Sequence, residues 1–254
     1  MQMNANTIFI TGGTSGIGKG LAEAFYKLGN QVIISGRRED RLQDVCAANP
    51  GMRYFVLDVR DPVAIRTVAR KVVADFPSLN CVFNNAGVQR RLELAPGTPL
   101  DEEGLRDEIN TNLLGVIRVA AEFIPHLIQQ SNAVLVNVSS GLAFVPLARF
   151  PVYCATKAAL HSYTLSLRSQ LSNTGIEVIE LIPPYVATHL MDGFNNPRAM
   201  PLDKFIAEAM EILKTQPTPT EICVENVKTL RFAAETGNFN TIFARLNAPP
   251  AETN

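Results

Sequence analysis

Short apolar segments rich in β-branched residues alternate along this chain with longer amphipathic stretches. Such alternation is typical of repeated βα units, in which parallel strands form one sheet that is covered by helices on both faces. Strands in such a sheet are apolar on both sides, and the segments here have that composition. They are predicted at residues 7–11, 32–35, 54–59, 81–87, 133–140, 176–182 and 221–225. The order of the segments therefore predicts an α/β fold with a doubly wound parallel sheet.

The length of 254 residues is compatible with one folded unit, because α/β domains of roughly 200 to 250 residues often fold as one domain. No repeat, low-complexity segment or linker divides the sequence, so we expect a single domain over residues 1–254. The last residues, 247–254, are expected to be a flexible tail. Helices are predicted at residues 16–28, about 40–48, 62–76, a long stretch that ends near 130, and a stretch around Tyr153 that ends near 171.

Composition argues against several classes of function. The formal net charge is −1 and like charges do not cluster, so we expect no nucleic acid and no membrane as a partner. No apolar run reaches the roughly 18 residues of a membrane span, and the first strand begins too early to leave room for a signal peptide. Four scattered cysteines indicate a reducing compartment, so we expect a cytoplasmic protein. The three histidines lack ligand spacing, and no metal site is expected.

A glycine-rich turn, TGGTSGIG at residues 11–18, follows the first predicted strand and opens the first predicted helix. Backbone N–H groups at such a turn can bind the pyrophosphate of a dinucleotide. Glycine is needed there because a Cβ would obstruct the turn, the approach of the phosphates or the packing of the helix. A tight turn without a ligand has the same composition, so other motifs must decide between the two interpretations.

Tyr153 and Lys157, in the sequence YCATK, lie four residues apart in a predicted helix. Their side chains should therefore leave the same face, about one turn apart. An ammonium about 4 Å from the phenol, at an effective dielectric of roughly 20, would favour the phenolate by about 4 kcal/mol. This corresponds to a decrease of about 3 units in the tyrosine pKa. The pair is thus a candidate for proton transfer, although two solvated side chains would show the same spacing.

Three further motifs accompany this pair: NNAG at residues 84–87, Asn112 in NTNLLG, and Ser140 in VNVSS. In this order and at these separations, the five motifs together resemble the short-chain dehydrogenase/reductase family. The resemblance extends from residue 7 to about residue 188. It implies a Rossmann-type sheet of seven parallel strands in the order 3-2-1-4-5-6-7, with the cofactor across the carboxyl ends of the strands.

The resemblance also implies a role for each matching residue. Ser140 would hydrogen-bond the substrate oxygen, Tyr153 would transfer the proton, and Lys157 would bind the nicotinamide ribose. Asn112 would hold a water molecule next to Lys157, unless its amide is satisfied by the backbone. Asn84 and Gly87 would border the ribose, and Asp58 would meet the adenine amino group unless it only caps a turn. The expected cofactor-binding residues are Gly12, Thr14, Ser15, Gly16, Ile17, Gly18, Arg37, Arg38, Asp58, Val59, Asn85, Ala86, Gly87, Tyr153, Lys157, Pro183, Val186 and Thr188.

The sequence SGRR after the second strand indicates the preferred cofactor. NAD-binding sites place an acidic side chain there for the ribose 2′-hydroxyl, whereas this chain has Gly36. Arg37 and Arg38 offer guanidinium groups suited to the 2′-phosphate of NADP. NADP(H) is therefore the expected cofactor, with NAD(H) possible, unless the two arginines only solvate the next helix.

The residues that would meet the substrate lie in predicted loops. The stretch 142–151 and the residues Tyr185, His189, Leu190, Met191 and Phe194 are mainly apolar, which favours a hydrophobic or aromatic carbonyl compound. Arg90, Arg91 and Arg149 could recognise a carboxylate or could simply be solvated. We expect a substrate lid over about residues 185–217.

Two departures from the family pattern are present. Pro184 replaces the usual glycine in PPYVAT, and the C-terminal part lacks the Val-Asp-Gly-Gly ending of tetrameric members. The second departure favours a homodimer, built from helices around residues 115–130 and 153–171, over a tetramer. Both features resemble a bacterial subgroup of oxidoreductases found near genes for the D-alanylation of teichoic acid.

Together these expectations predict an enzyme that reduces a carbonyl compound with NADPH, or oxidises an alcohol by the reverse path. One alternative is an NADP-binding regulatory or scaffold protein without turnover, which would have no use for Ser140 and Tyr153 together. Another is an epimerase or dehydratase on the same scaffold, but the sugar-binding extension of such enzymes is absent.

Overall fold

A computed structural model describes residues 1–94, 99–190, 196–216 and 219–248. Seven parallel strands form one continuous sheet in the order β3-β2-β1-β4-β5-β6-β7. The strands are β1 Thr7–Thr11, β2 Gln31–Gly36, β3 Arg53–Val56, β4 Leu79–Asn84, β5 Val134–Val138, β6 Glu177–Ile182 and β7 Glu221–Cys223. The predicted fold class and strand order are confirmed.

Helices cover both faces of the sheet. They are α1 Gly16–Lys27, α2 Glu39–Ala48, α3 Pro62–Asp75, α4 Glu102–Ile109, α5 Gly115–Leu127, α6 Pro151–Gln170, α7 Leu202–Thr215, α8 Glu225–Arg231 and α9 Phe239–Leu246. One apolar core lies between the sheet and α1, α2, α7 and α8, and a second lies between the sheet and α3, α5 and α6. The crevice at the carboxyl ends of the strands is therefore fixed by packing from both sides.

The long helix predicted to end near residue 130 is two helices joined by the π-helical segment Asn110–Leu114. Gly115 begins α5 directly after this segment, and a Cβ there would lie 2.8 Å from the carbonyl oxygen of Val59. The absence of a side chain at Gly115 thus lets this helix approach the backbone of Val59 closely. Single-turn π segments occur often at functional sites, and this one contains Asn112.

The sequence interpretation missed α7, which occupies most of the second half of the predicted lid. Phe205 and Ala209 in this helix are fully buried, and a Cβ on Gly20 of α1 would lie 2.8 Å from Ile206. Residues 202–215 are thus anchored to the core rather than forming an open loop. Residues 191–195 and 217–218 of the predicted lid lie outside the described residues.

The C-terminal part also differs from the expectation. Helices α8 and α9 were not predicted, and the predicted seventh strand is shorter, ending at Cys223. Asn247, expected to begin the flexible tail, accepts a hydrogen bond from Ala148 N at 2.6 Å and donates to the carbonyl of Pro146 at 3.1 Å. It therefore fixes the end of α9 on the loop before α6. Residues 249–254 lie outside the described residues, and none of the described helices is both long and apolar enough to cross a membrane.

Candidate active site

A cavity of about 790 Å³ opens at the carboxyl ends of the strands, between β1 and β4. This is the position where chain connections leave the sheet in opposite directions, and where doubly wound proteins bind ligands. Every residue in the predicted cofactor-binding set lines the cavity, as does Ser140. The predicted residues therefore lie together around one cavity. Asn112 is buried and does not line it.

The glycine turn has the backbone that its sequence predicts. Gly12 and Gly16 have φ angles of +71° and +55°, the left-handed region in which residues with a Cβ are strained. Thr11 braces the turn against the end of β4, because its Oγ1 accepts hydrogen bonds from Asn85 N at 3.0 Å and Ala86 N at 3.1 Å. The Asn85 side chain donates to the carbonyl of Thr11 at 2.9 Å. The turn and NNAG thus form one rigid backbone cradle that suits a pyrophosphate.

Asn84 does not border the cavity, so the prediction that it meets the ribose is wrong. Its side chain is 2% exposed and donates to Asn137 Oδ1 on β5 at 2.9 Å. Strand alternation explains the difference, because Asn84 and Asn85 leave the backbone in opposite directions. Gly87 does line the cavity as predicted.

The predicted phosphate site next to Gly36 is open and positively charged. Arg37 and Arg38 are exposed and line the cavity, and Arg38 Nη2 donates to Thr14 Oγ1 at 3.4 Å. A Cβ on Gly36 would lie 2.9 Å from the methyl group of Thr14. The two guanidinium groups are therefore free to reach an anion, whereas a larger residue at position 36 would displace Thr14.

Asp58 lines the cavity, but its carboxylate is held by Arg60. Arg60 Nε donates to both carboxylate oxygens, at 3.0 and 2.9 Å, and its Nη2 donates to Oδ2 at 2.6 Å. Partial burial acts to raise the pKa of Asp58, but these hydrogen bonds and the charges of Arg60 and Arg37 outweigh it, so the pKa is lowered. Arg60, which the sequence interpretation did not single out, thus keeps Asp58 ionised and fixes its direction.

Tyr153 projects from α6 into the cavity, which Ser140 also lines. Ser140 directly follows β5, and its Oγ accepts from Leu142 N at 3.1 Å. Burial strongly raises the pKa of Tyr153, the neighbouring Ser140 hydroxyl lowers it, and the charge of buried Glu108 raises it further. The predicted lowering of the tyrosine pKa is therefore wrong for this structure, in which the phenol keeps its proton.

Lys157 does not lower that pKa because its ammonium is directed elsewhere. Nζ donates to the carbonyl oxygen of Val138 at 2.8 Å and lies 5.6 Å from the centre of the Tyr153 ring. The side chain is almost fully buried, and this burial lowers the pKa of Lys157 to about 8, while the charge of Glu180 opposes the decrease. The predicted proximity of the two side chains is present, but burial is the largest influence on both pKa values.

The Asn112 side chain is satisfied by protein groups. Its Oδ1 accepts from Val88 N at 2.8 Å, and its Nδ2 donates to the carbonyl of Val88 at 2.8 Å and to Thr156 Oγ1 at 3.2 Å. A Cβ on Gly87 would lie 3.4 Å from Asn112 Oδ1 and 3.8 Å from Lys157 Nζ. The amide is thus satisfied largely by backbone, which was the alternative interpretation, and it fastens the loop after β4 to α6.

The substrate end of the cavity combines predicted and unexpected residues. Leu142, Leu147, Arg149, Tyr185, His189 and Leu190 line it, together with Arg90, whereas Met191 and Phe194 lie outside the described residues. Gln89, Arg198, Leu230 and Leu246 also line it and were missed. Arg198 reaches the cavity because Val186 and Met200 form a bridge that folds the chain back. No local sequence pattern predicts such a contact.

Comparison with known proteins gives the same assignment as the geometry. Residues 6–199 match the family model described as short chain dehydrogenase. The chain is 40% identical over 253 residues to the uncharacterized oxidoreductase DltE of Bacillus subtilis, covering 97% of this chain and 98% of that protein. It is 29% identical over 180 residues to the NADP-dependent 3-hydroxy acid dehydrogenase YdfG of Shigella flexneri, covering 70% and 72% of the two chains.

Solved structures agree on the fold. A short chain dehydrogenase from Burkholderia cenocepacia, crystallised with NADP, superposes with a TM-score of 0.82 at 23% identity and covers 98% of this chain and 100% of that chain. A short-chain dehydrogenase from Streptomyces avermitilis gives a TM-score of 0.77 at 27% identity and covers 95% and 96% of the two chains. With its strand order, glycine turn and Ser140, Tyr153 and Lys157 gathered in one crevice, this chain belongs to the short-chain dehydrogenase family of oxidoreductases.

Proposed function

We propose that the protein is an NADP(H)-dependent oxidoreductase that interconverts a carbonyl compound and an alcohol. The observation that carries the proposal is that Ser140, Tyr153 and Lys157 line the same cavity, with Lys157 Nζ 5.6 Å from the centre of the Tyr153 ring. A regulatory protein that only binds the nucleotide would gain nothing from burying a tyrosine, a serine and a lysine at this point.

The residues at the other end of the cavity fit NADP. Two glycines with positive φ leave the backbone open to a pyrophosphate, and Arg37 and Arg38 are exposed beside Gly36, where an acidic residue would be expected for NAD. Several relatives and structural neighbours carry NADP in their names or complexes. When bound, NADPH supplies the hydride.

The chain's own residues supply the proton and the polarisation of the substrate. Ser140 Oγ, at the end of β5, can donate to the substrate oxygen, while the Tyr153 hydroxyl gives that oxygen its proton. Because burial raises the pKa of Tyr153, the phenol is protonated at neutral pH and holds the proton that this direction requires. Lys157 carries a positive charge below pH of about 8, which would stabilise the phenolate left after proton transfer.

The lining of the substrate end favours a compound with an apolar body and an acidic group. Leu142, Leu147 and Leu230 provide apolar surface, while Arg149 and Arg198 are exposed guanidinium groups on the same cavity. No ion pair to a carboxylate is found for either arginine among the described residues, whereas Arg90 is paired with Asp107. A substrate carboxylate would supply that partner, and the name of the 3-hydroxy acid dehydrogenase YdfG is consistent with it.

We propose a homodimer rather than a tetramer. The outer surfaces of the region around α5 and α6 expose Ile128 and Leu165, which are 48% and 45% exposed. Light scattering of the purified protein should give a mass near twice the 27.7 kDa of one chain. A mass near 28 or near 111 kDa would contradict the dimer.

Turnover tests the enzymatic proposal. NADPH consumption is measured against a panel of ketones, aldehydes and 3-oxo acids, with the wild type and Tyr153→Phe compared. Removal of the proton donor should decrease kcat by about a thousand-fold and leave NADPH binding within about threefold. If NADPH binds tightly and no member of the panel is reduced, a nucleotide-binding regulatory protein becomes the better interpretation.

A further inference from the structure

A row of polar side chains crosses the sheet beneath the active site. Asn84, Asn137, Glu180 and Glu221 occupy paired positions on β4, β5, β6 and β7. Three of them, Asn84, Asn137 and Glu180, are at most 2% exposed. Buried polar groups are costly unless they are paired, so the partners of these three buried side chains indicate what the row does.

Helix α6 presents a matching polar stripe to this row. Tyr153, Lys157 and His161 follow one another at intervals of four residues, so they share one face of the helix. His161 Nδ1 lies 2.8 Å from Glu180 Oε2, and Thr164 Oγ1 accepts from Asn137 Nδ2 at 3.0 Å. The catalytic lysine is therefore one turn from a histidine that holds a buried carboxylate.

Glu180 is placed to act as an anion. An ionised carboxylate only accepts hydrogen bonds, so the imidazole that contacts it carries its proton on Nδ1. Glu180 Oε1 is buried, and no hydrogen-bond partner for it is found among the described residues. Lys157 is buried nearby on the same side of the sheet, and Glu180 is the charge that favours its protonated form against the effect of burial.

The other charged groups around Glu180 are paired with one another. On the outer side, Arg231 donates to the two oxygens of Glu221 at 2.7 and 2.9 Å and also pairs with Glu235. Burial and Glu221 raise the pKa of Cys223 to about 12, so its thiol is neutral. His161, Glu180 and Glu221 are close enough for a metal ion, but the Arg231 guanidinium already occupies Glu221. Glu180 is thus the carboxylate of this group that contacts a histidine and not an arginine.

We propose that Glu180, held by His161, is a positioning residue that keeps Lys157 in its charged form and so sets the alkaline limit of the reaction. Phe144 shields this pair from solvent, since its ring centre lies 4.7 Å from that of His161 and 4.7 Å from the Arg231 guanidinium. The effect on the charge of Lys157 rests on the contact of Glu180 with His161, one helical turn after Lys157, and does not depend on the proposed function. Its effect on the rate rests on the proposed function.

The direct test is the titration of Lys157 in protein labelled with ¹³C at the lysine ε-carbon. The signal is assigned by its disappearance in Lys157→Met. The wild-type midpoint should lie near pH 8, well below that of solvated lysines at about 10.4. Glu180→Gln, which keeps the shape and removes the charge, should lower the midpoint by about one pH unit.

Two variants serve as matched controls. Glu221→Gln lies in register on the next strand and removes a charge that Arg231 balances, so it should leave the Lys157 midpoint within about 0.3 units. Glu180→Asp keeps the carboxylate and should restore most of the shift. If Glu180→Gln fails to fold, the double variant Glu180→Met with His161→Phe replaces the pair by apolar side chains and should give the same decrease.

The outcomes separate this inference from the proposed function. An unchanged Lys157 midpoint in folded Glu180→Gln protein would overturn the inference, even if NADPH-dependent turnover is normal. A lowered midpoint in protein that reduces no carbonyl compound would support the charge assignment and overturn the proposed function. If both hold, the alkaline limb of kcat/KM should move to lower pH by the same interval as the NMR midpoint.

Discussion

The nucleotide end of the cavity is formed mainly by backbone, whereas the substrate end is formed by side chains from segments far apart in the chain. At the first end, Gly12 and Gly16 turn the chain and Thr11 binds two backbone N–H groups of the neighbouring strand connection. At the second end, Arg149 precedes α6, Arg198 follows the Val186–Met200 bridge, and Leu246 ends α9. The nucleotide end therefore tolerates almost no added atoms, whereas the substrate end can change its chemistry residue by residue.

Lys157 lies where the two ends meet, and its substitution should have the largest effect. Lys157→Met should decrease kcat/KM with NADPH by about a thousand-fold, because the charge that stabilises the tyrosine phenolate is lost. In the wild type, kcat/KM for reduction should fall above pH of about 8, where Lys157 loses its proton. Steady-state kinetics between pH 6 and about 10 measure both effects. A flat wild-type profile to pH of about 10 would contradict this role.

The same substitution should stabilise the fold. The pKa of Lys157 is about 8 in the folded protein and near 10.5 in the unfolded chain. Between these two pH values the unfolded chain binds more protons, so the contribution of Lys157 to the free energy of unfolding rises with pH. At pH 7 the buried ammonium therefore costs roughly 3 kcal/mol, and Lys157→Met should recover about 1–3 kcal/mol. Urea denaturation at pH 7 and near pH 10.5 tests this, since the stabilisation of Lys157→Met over the wild type should be smaller at the higher pH.

Gly18→Ala tests the intolerance of the nucleotide end. A Cβ there would overlap the Asn85 side chain and the carbonyl of Gly12, both of which are part of the backbone cradle. The affinity for NADPH should decrease by about a hundred-fold, and the free energy of unfolding by about 1–3 kcal/mol. Gly175→Ala is the control, because nothing lies within 4 Å of its added Cβ. Equal NADPH affinities in the two variants, measured by fluorescence titration, would contradict binding of the pyrophosphate by this turn.

Gly36→Asp tests the choice of cofactor at the same end. A carboxylate next to Arg37 and Arg38 should repel the 2′-phosphate and accept hydrogen bonds from a ribose 2′-hydroxyl, while the Thr14 methyl group moves aside. The ratio of NADP to NAD affinity should decrease by about thirty-fold, or about 2 kcal/mol. An unchanged ratio would show that the two arginines do not contact the phosphate.

Arg149→Gln should have the smallest effect, and only at the substrate end. We expect KM for a 3-oxo acid to rise about tenfold while KM for an uncharged ketone is unchanged, because only the acid would lose its charged partner. Arg91→Gln is the matched control, since Arg91 is exposed and does not line the cavity. Equal changes for the acid and the ketone would indicate that Arg149 supports the structure and does not recognise a charge.

The pKa values show where sequence reasoning was insufficient. The four-residue spacing of Tyr153 and Lys157 correctly predicted that they share a helix face, but it predicted a lowered tyrosine pKa. In the structure the pKa of Tyr153 is raised, since burial of the phenol outweighs all other influences. Spacing gives the direction of a side chain, whereas the pKa depends on burial and on charges such as Glu108 and Glu180 that arrive from other elements.

Periodicity in the sequence determined the parallel sheet, and local chemistry determined the glycine turn with its neighbouring motifs. The strand order followed from the resemblance to the family. Each of these depends on residues close together in the chain, whose backbone conformations are limited by glycine, proline and β-branched side chains. The tertiary structure alone decided that Asn84 faces away from the cavity, that α7 is anchored, and that Arg198 and Leu246 reach the substrate end. It also aligned Asn84, Asn137, Glu180 and Glu221 across four strands, because strand register joins residues that are as many as 53 positions apart in sequence.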